Sequence, residues 1–337
     1  MKTKNILTTL FFTFTVLNAV AQDPTFTQAY ANPLSTNPAI MGANDFLKVA
    51  VNYKSQLPNI SGGFTTSSLS TLYPVFLKDG NKKIDFGLNI QKEHAGAFDR
   101  LNVSFALGYR LQLSKSGNLS FALMGGYGQK TLNTALLSFD EQYVDGAYSA
   151  ANPHNENFSY TIMAYGDIGF GAMWYYNPQK TESEGTINCY FGIAGYHLNA
   201  PKKSFVSSDY AMPRRYTCQA GIKIVGDKKI DILPNVRINL QGALQEIAPG
   251  VNVDYRVSEG IKLSVGSFFR LNGSAAMIVG LKYKGCSLAY SYDSYSNRGI
   301  KKYWPSAAAH QLALIYSYDL MKSKGSYTID ESPFSEF

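Results

Sequence analysis

The residue types that most often carry chemistry are few and scattered in this chain. Three cysteines at wide spacing argue against a disulfide framework and against a Cys-rich zinc site. The four histidines show no paired spacing and match no H-E-x-x-H or similar zinc motif. We therefore predict no catalytic residues, no cofactor and no metal site. The residues concerned are His94, His154, His197 and His310, expected in loops or interfaces, and Cys189, Cys218 and Cys286, expected as small apolar fillers of strands.

Glycine-rich, acidic and basic stretches point to no ligand site either. GDIGFGAM and GGYGQK lie in strand-like runs with no following helix, so they are not phosphate loops, and close packing at bends or under aromatic rings is expected. The acidic loop 140–157 matches no EF-hand spacing, so we expect a solvated loop, with a calcium site as the alternative. Paired lysines lie at connections, and the net charge of +7 is dispersed rather than clustered. This pattern suits a membrane edge and does not indicate nucleic acid.

The first 45 residues are predicted to form a secretory leader followed by a segment that is not a strand. Residues 1–21 combine a basic start, an apolar run over 6–20 and the small-x-small site Ala19-Val20-Ala21, which predicts a signal peptide. Residues 22–45 contain Asn32-Pro33 and Asn37-Pro38. Asn-Pro initiates turns, and each Pro lacks an N–H. From this chemistry alone the segment is either an ordinary loop or a rigid element with a role.

After residue 45 the dominant signal is a period of two. In one run Ile84, Phe86, Leu88 and Ile90 alternate with polar or small residues. A longer run extends over 101–113, and the last run, from Gln311, is regular except for Ile315. Alternation predicts strands with one apolar and one polar face, and both a soluble sandwich and a membrane barrel have such strands.

Three features favour the membrane barrel. The runs are longer than ordinary strands, the polar face is rich in Gly, Ser, Ala, Asn and Gln, and tyrosines gather near strand ends. We predict an all-β fold, a transmembrane antiparallel β-barrel of about 14 strands over 46–320. It is preceded by a periplasmic or lumenal segment over 22–45 and followed by a periplasmic tail over 321–337. The predicted strands begin near Phe46, Thr65, Lys83, Leu101, Asn118, Tyr160, Thr186, Arg214, Val236, Val251, Ile261, Ala275, Cys286 and Ala309.

Loop lengths separate into two sets. The three longest connections, 138–159, 201–213 and 293–306, all fall on one side if connections alternate between the two barrel ends. Outer-membrane barrels have short periplasmic turns and long outer loops, so these three are predicted to face outward. Exposed Tyr and Trp in such loops are candidate anchors for a protein partner. The candidates are Tyr143, Tyr148, Tyr210, Tyr303 and Trp304, of which the last two also fit an aromatic girdle.

The N-terminal segment also resembles a known family. QDPTFTQAYANPLSTNPAIMGAND is similar to the start of PorP/SprF proteins, with N-P-L, N-P-A and Gly42 in family order. The N-Y-x-x-Q segment at 52–56, the stretch 63–66 and the closing HQLALIYSYD also resemble family motifs. Leu57 stands where an aromatic is usual, and Ile40-Met41 replaces the usual Tyr-Ala. These departures bear on which member this is.

The resemblance implies a bacterial outer-membrane barrel of the type IX secretion and gliding apparatus. Its implied partners are a secreted adhesin with a C-terminal sorting domain, type IX translocon or motility subunits, and outer-membrane lipid. Under this interpretation Asn32, Pro33, Asn37 and Pro38 belong to a rigid plug or docking arm. Two other classes stay open: a FadL-like or porin-type channel for small molecules, and an outer-membrane enzyme, which sequence spacing neither shows nor excludes.

Overall fold

Long alternating runs close into one sheet in the computed structural model. The structure describes residues 23–58, 63–77, 82–153, 156, 158, 161–178, 186–202, 211–225, 229–271, 273–295 and 307–320. Fourteen antiparallel strands form a closed barrel, in which the first strand pairs with the last. This confirms the predicted fold and strand count. The barrel strands are β1 Leu47–Gln56, β2 Phe64–Phe76, β3 Lys82–Ala95, β4 Phe98–Gln112, β5 Gly117–Leu132, β8 Ile162–Tyr176, β9 Thr186–Tyr196, β10 Arg215–Val225, β11 Ile230–Gln241, β12 Leu244–Ser258, β13 Ile261–Arg270, β14 Ser274–Tyr283, β15 Cys286–Tyr295 and β16 Ala308–Tyr318.

The period of two translates directly into an outer and an inner face. On β3, Phe86 and Leu88 are each 38% exposed, whereas the alternate residues Asp85 and Asn89 are buried inside. A closed barrel whose outer surface is a continuous band of Leu, Ile, Val, Phe and Tyr suits lipid on the outside. Ile315, the exception in the last run, points inward and packs with Ala31, Ala50 and Tyr30.

Two predicted strand starts were wrong. The structure begins β11 at Ile230 instead of Val236 and β12 at Leu244 instead of Val251. Pro234 lies within β11, at a point where the β10–β11 ladder is interrupted between Gly221 and Ile224, so its missing N–H costs no bond there. The predicted starts place the connection between these two strands just before Val251, whereas the structure has a tight turn at 242–243, with Gly242 at φ +60°.

The two ends of the barrel differ. We call the end where β1 begins and β16 ends the base, and the opposite end the rim. The β12–β13 and β14–β15 connections at the base contain two residues each, 259–260 and 284–285. The rim carries the long connection between β5 and β8, which includes the small hairpin of β6 Tyr143–Val144 and β7 Ala147–Tyr148. Two-residue turns also occur at the rim, at 96–97 and 242–243, so the ends differ in their longest connections, and the longest of all, 133–161, lies at the rim. Long loops mark the outer end of such barrels, so the base corresponds to the periplasm.

The segment before β1 lies inside the barrel. It forms a 3-10 turn at Ala29–Ala31, the short helix α1 at Pro33–Thr36, and a second 3-10 segment at Pro38–Ala43. Leu34, Ile40 and Met41 pack on inward residues of the wall, including Met173 and Tyr196. Within the described residues, no helix is long and apolar enough to cross a membrane. The predicted signal peptide over 1–21 and the tail over 321–337 lie outside the described residues.

Candidate functional site: the lumen segment and the rim hairpin

The N-terminal segment runs through the lumen from the rim to the base. Asp23 contacts Arg100, His197 and Arg215, which lie where β4, β9 and β10 meet the rim. Twenty-two residues later, Asp45 contacts Lys83 and Arg110 near the base. The segment therefore crosses most of the barrel before the chain turns back into β1. We call residues 23–31 the rim arm and residues 32–45 the base segment.

Asp23 fixes the start of the rim arm in a buried ionic cluster. Its Oδ1 lies 2.9 Å from Nη1 of Arg100, and its Oδ2 lies 2.6 Å from Nε2 of His197 and 3.6 Å from Nε of Arg215. Nδ1 of His197 contacts Asp167 at 2.9 Å. Removing one member of such a buried cluster leaves the opposite charge uncompensated, so the cluster is costly to break.

The cluster shifts the pKa of two of its members. Burial opposes the charged form of Asp23, but the neighbouring cations outweigh it and hold the pKa of Asp23 well below its usual range. Burial also disfavours the charged ring of His197, yet Asp23 and Asp167 outweigh it and raise the pKa of His197. Both groups are thus favoured in their charged forms, which ties the start of the rim arm to the end of β9 and, through Asp167, to β8.

The middle of the rim arm is held by polar side chains of β13, β15 and β16. The Thr27 N–H donates to Oε1 of Gln311 at 2.9 Å, and its hydroxyl donates to Asp293 at 2.6 Å. Arg270 donates to the Thr27 oxygen at 2.7 Å and to Asp293 at 2.9 Å. Lys54 donates to the carbonyl of Thr25 at 2.7 Å. The rim arm is therefore bound mainly through charge-assisted hydrogen bonds.

The two Asn-Pro pairs lie in the base segment and are buried. Asn32 donates to Gln91 at 3.2 Å, and Pro33 opens α1, where a missing N–H costs nothing. Asn37 caps the second 3-10 segment by accepting from the Ala39 N–H at 2.9 Å, and it donates to the carbonyl of Ala172 at 3.2 Å. Pro38 follows this cap. The four residues thus shape the segment against the wall, and the plug or docking role predicted for them stays a prediction.

Glycines in the wall make room for this segment. A Cβ at Gly171 would overlap the amide oxygen of Asn37 and lie 2.9 Å from Cδ of Pro38. A Cβ at Gly192 would lie 2.6 Å from Nδ2 of Asn37. Gly171 belongs to the GDIGFGAM stretch, so here the glycine serves a close approach of backbone to wall.

The base end of the segment is fastened by one lysine and one arginine. The Lys83 ammonium, which is fully buried, donates to the carbonyls of Met41 and Asn44 and pairs with Asp45 and Asp85, each at 3.1 Å. Arg110 pairs with Asp45 at 2.7 Å. Because every donor of Lys83 is occupied, the burial of its charge is compensated.

The rim hairpin carries two of the five aromatic candidates. Tyr143 and Tyr148 face each other across β6 and β7 with ring centroids 5.3 Å apart, and they are 58% and 45% exposed. Asp145 and Gly146 both have positive φ, as a two-residue type I′ turn requires. Val144, 51% exposed, pairs with Ala147 on the opposite face of the hairpin. Tyr210, Tyr303 and Trp304 lie outside the described residues.

The buried charges of the lumen were missed from the sequence. The inner face was expected to be rich in Gly, Ser, Ala, Asn and Gln, yet inward positions also hold a set of buried charged residues, most of which form ion pairs in separate groups. In the sequence each of these residues occupies a position that alternates with apolar, outward-facing positions of its strand. This alternation was the signal that could have identified them. The members of this set are Lys54, Lys83, Asp85, Arg100, Arg215, Arg237, Asp254, Arg270 and Asp293. Within the described part of the chain, no three His, Cys, Asp or Glu residues group to hold a metal ion.

Comparison with known proteins identifies the family. The family model described as "Type IX secretion system membrane protein PorP/SprF" matches residues 18–316. The chain belongs to this family. Membership confirms the resemblance seen in the Asn-Pro segment, and it implies association with type IX secretion components. The comparison with curated proteins found no match.

Solved structures similar to this PorP/SprF protein include proteins described as a hydrocarbon channel, a FadL homologue and a toluene transporter. A TodX monoaromatic hydrocarbon channel mutant matches with a TM-score of 0.52 at 9% identity, covering 88% of this chain and 95% of that one. A Pseudomonas aeruginosa FadL homologue matches with a TM-score of 0.51 at 9% identity over the same shares. The Ralstonia pickettii toluene transporter TbuX gives 0.51 at 10% identity, covering 84% and 91%. At this identity the likeness concerns the fold, and together with the family it places the PorP/SprF barrel in the bacterial outer membrane.

Proposed function

We propose that this PorP/SprF barrel binds the C-terminal sorting domain of a secreted adhesin at its rim and holds it on the type IX machinery. Family membership supports the secretion context. The observation that carries the proposal is the rim hairpin, where Tyr143 and Tyr148 form an exposed aromatic pair on a structured loop. Exposed tyrosines on a preformed hairpin are favourable anchors for a protein surface, because little conformational freedom is lost on binding.

The lumen segment favours a docking role for the barrel and argues against an open pore. Asp23 to Asp45 crosses the barrel with ionic contacts at both ends and an apolar core between them. A barrel filled in this way serves as a rigid platform for its loops. Deleting residues 23–45 should raise single-channel conductance in planar bilayers, and unchanged conductance would remove the plug role.

The proposal is tested by a paired substitution in the hairpin. Tyr143→Ser with Tyr148→Ser removes both anchors while leaving the Asp145-Gly146 turn intact. The variant should insert and stay heat-modifiable, yet co-purify with less adhesin than the wild-type barrel. Tyr283→Ser with Tyr318→Ser, which changes two exposed tyrosines at the base, is the control and should keep the adhesin. Equal adhesin recovery with both variants would show that the contact lies elsewhere.

A second candidate is a FadL-like or porin-type channel for small molecules. The observation that favours it is the shared barrel architecture with proteins described as hydrocarbon channels and toluene transporters. It requires a continuous path, and so a rim arm that moves. Uptake of toluene by liposomes containing the wild-type barrel, above that of empty liposomes, would support this candidate over the docking platform.

A further inference from the structure

The wall of the barrel is uneven at the rim, because β8 extends beyond its neighbour β9. The ladder between β5 and β8 continues up to Ile162, whereas the ladder between β8 and β9 begins only at Phe170. Near the rim, one side of β8 is therefore without a neighbouring strand among the described residues. We call residues 162–166 the free edge of β8.

The backbone of the free edge presents hydrogen-bonding groups to the outside of the sheet. The Thr161 carbonyl accepts from the last residue of β5, so odd-numbered residues here bond to β5 and even-numbered residues point the other way. The Gly166 carbonyl agrees with this direction, since it accepts from the Asn199 side chain at 2.8 Å. Within the described ranges, no hydrogen bond engages the N–H of Gly166 or either backbone group of Ile162 and Ala164.

The free edge lies at the outer limit of the apolar band. Tyr127 of β5 is paired with Gly166, and the outward residues of β5 beyond it are the polar Gln129 and Thr131. A hydrocarbon layer would leave the open backbone groups of the edge unsatisfied, so the edge belongs to the aqueous zone outside that layer. An accessible strand edge is a template for pairing with another extended chain.

The rim loop that leads into β8 is acidic. Between positions 133 and 160 the sequence has four carboxylates and no Lys or Arg, although the whole chain has a net charge of +7. All four carboxylates are exposed, and none forms an ion pair within the described residues: Asp140, Glu141, Asp145 and Glu156. Two copies of this chain joined at the free edge would bring two such loops together, so like charges oppose a homodimer. A partner with positive charge is attracted instead.

The outer surface beside the edge has room for a large side chain. Gly166 and Gly125 face outward on adjacent strands, and a Cβ on either would meet no atom within 4 Å. Ile162 and Ile168 are exposed on the same face. An aromatic residue on a strand added next to such a glycine covers it and stabilises the pairing.

We propose that the free edge of β8 binds an extended, basic segment of the secreted partner as an added strand, with one aromatic side chain over Gly166. The backbone groups of the edge select a strand, and the acidic loop selects positive charge. The inference rests on the proposed function, since it gives the adhesin a second contact close along the chain to the rim hairpin.

Peptide binding to the purified full-length barrel in phosphatidylcholine nanodiscs tests the proposal. The probe is a capped, fluorescein-labelled heptapeptide in which Lys alternates with Val and Tyr is central, and its anisotropy reports binding. Ala164→Pro removes a free N–H without breaking a bond to β5, and it should weaken binding by about fivefold or more. Ala164→Thr keeps this N–H and should bind the peptide as the wild-type barrel does. Ile162→Pro removes the neighbouring free N–H and replaces Ala164→Pro if that variant is not heat-modifiable.

Altered peptides separate the two parts of the proposal. A peptide N-methylated at its Val and Tyr residues cannot donate to the edge and should not bind. A peptide with Glu in place of Lys should bind about tenfold more weakly, because the acidic loop repels it. Neutralising the loop should reduce the difference between the Lys and Glu peptides to less than about threefold. That variant combines Asp140→Asn, Glu141→Gln, Asp145→Asn and Glu156→Gln.

The alternatives have distinct outcomes. No binding of the Lys peptide, or equal binding of its N-methylated form, would overturn strand addition. Equal binding of the Lys and Glu peptides would overturn the basic segment. A wild-type barrel that is dimeric in native mass spectrometry, and monomeric with Ala164→Pro, would assign the edge to a second copy of this chain and overturn the proposal. These tests use synthetic peptides, so they can fail while the adhesin still co-purifies, and the reverse also holds.

Discussion

Removing the charge of Asp23 should release the rim arm. Asp23→Asn keeps the size of the side chain but leaves Arg100, His197 and Arg215 without their shared carboxylate. Breaking a buried ion pair costs about 3–5 kcal/mol when the remaining charge is unpaired. Here each partner keeps another contact: Arg100 keeps Glu93, His197 keeps Asp167, and Arg215 keeps the Ser35 carbonyl. The lower end of the range applies, about 3 kcal/mol, which raises the released population roughly 100-fold.

Thiol accessibility measures this release. Phe26→Cys, in a chain whose three native cysteines are Ser, places a buried thiol in the rim arm three residues from Asp23. Maleimide labelling should be about 100-fold faster with Asp23→Asn than without it. Asp99→Asn is the control, because Asp99 pairs with His94 at the exposed surface of the rim, and it should change the rate less than threefold. Equal labelling rates in the Asp23 and Asp99 variants would refute the ionic anchoring of the arm.

Three further predictions follow from the same structure. Folding raises the pKa of His197, so the ion pairs of His197 contribute fully below about pH 6.5 and are lost as the pH rises through the raised pKa. Maleimide labelling of the rim arm should therefore accelerate above the raised pKa. His197→Asn should remove this pH-dependent step. Gly171→Val drives a side chain into the base segment and should destabilise the barrel by about 1–3 kcal/mol in urea unfolding, whereas Gly166→Val, with open space around it, should change stability little. Phe86→Arg puts a charge on the lipid face and should cost about 2–4 kcal/mol in the same assay, while Lys92→Arg nearer the rim should be neutral.

The barrel was predictable from sequence because the polarity of each strand residue indicates which face of the sheet its side chain lies on. Phe86 and Asp85 are neighbours, and their opposite environments follow from the pleat alone. The starts of β11 and β12 were not predictable in the same way. Pro234 and Pro249 suggest strand ends, because proline lacks the N–H that a strand ladder needs. Only the pairing with neighbouring strands shows that the ladder tolerates both prolines.

The lumen network was beyond sequence reasoning for a different reason. Asp23 and His197 are 174 positions apart, and nothing local to either residue indicates the other. The Asn-Pro motif did mark a segment that is rigid and not a strand, but its path from rim to base depends on barrel closure. Ile315 was visible as an exception, and its reason, packing on Tyr30 and Ala31, required the position of the N-terminal segment.

We propose that this barrel holds a secreted adhesin on the type IX machinery, and purification of the tagged full-length protein from native outer membranes, followed by mass spectrometry, is the decisive test. We expect an adhesin with a C-terminal sorting domain and type IX subunits in the wild-type preparation, and a reduced adhesin share with Tyr143→Ser and Tyr148→Ser. A barrel that purifies alone and takes toluene into liposomes would contradict it.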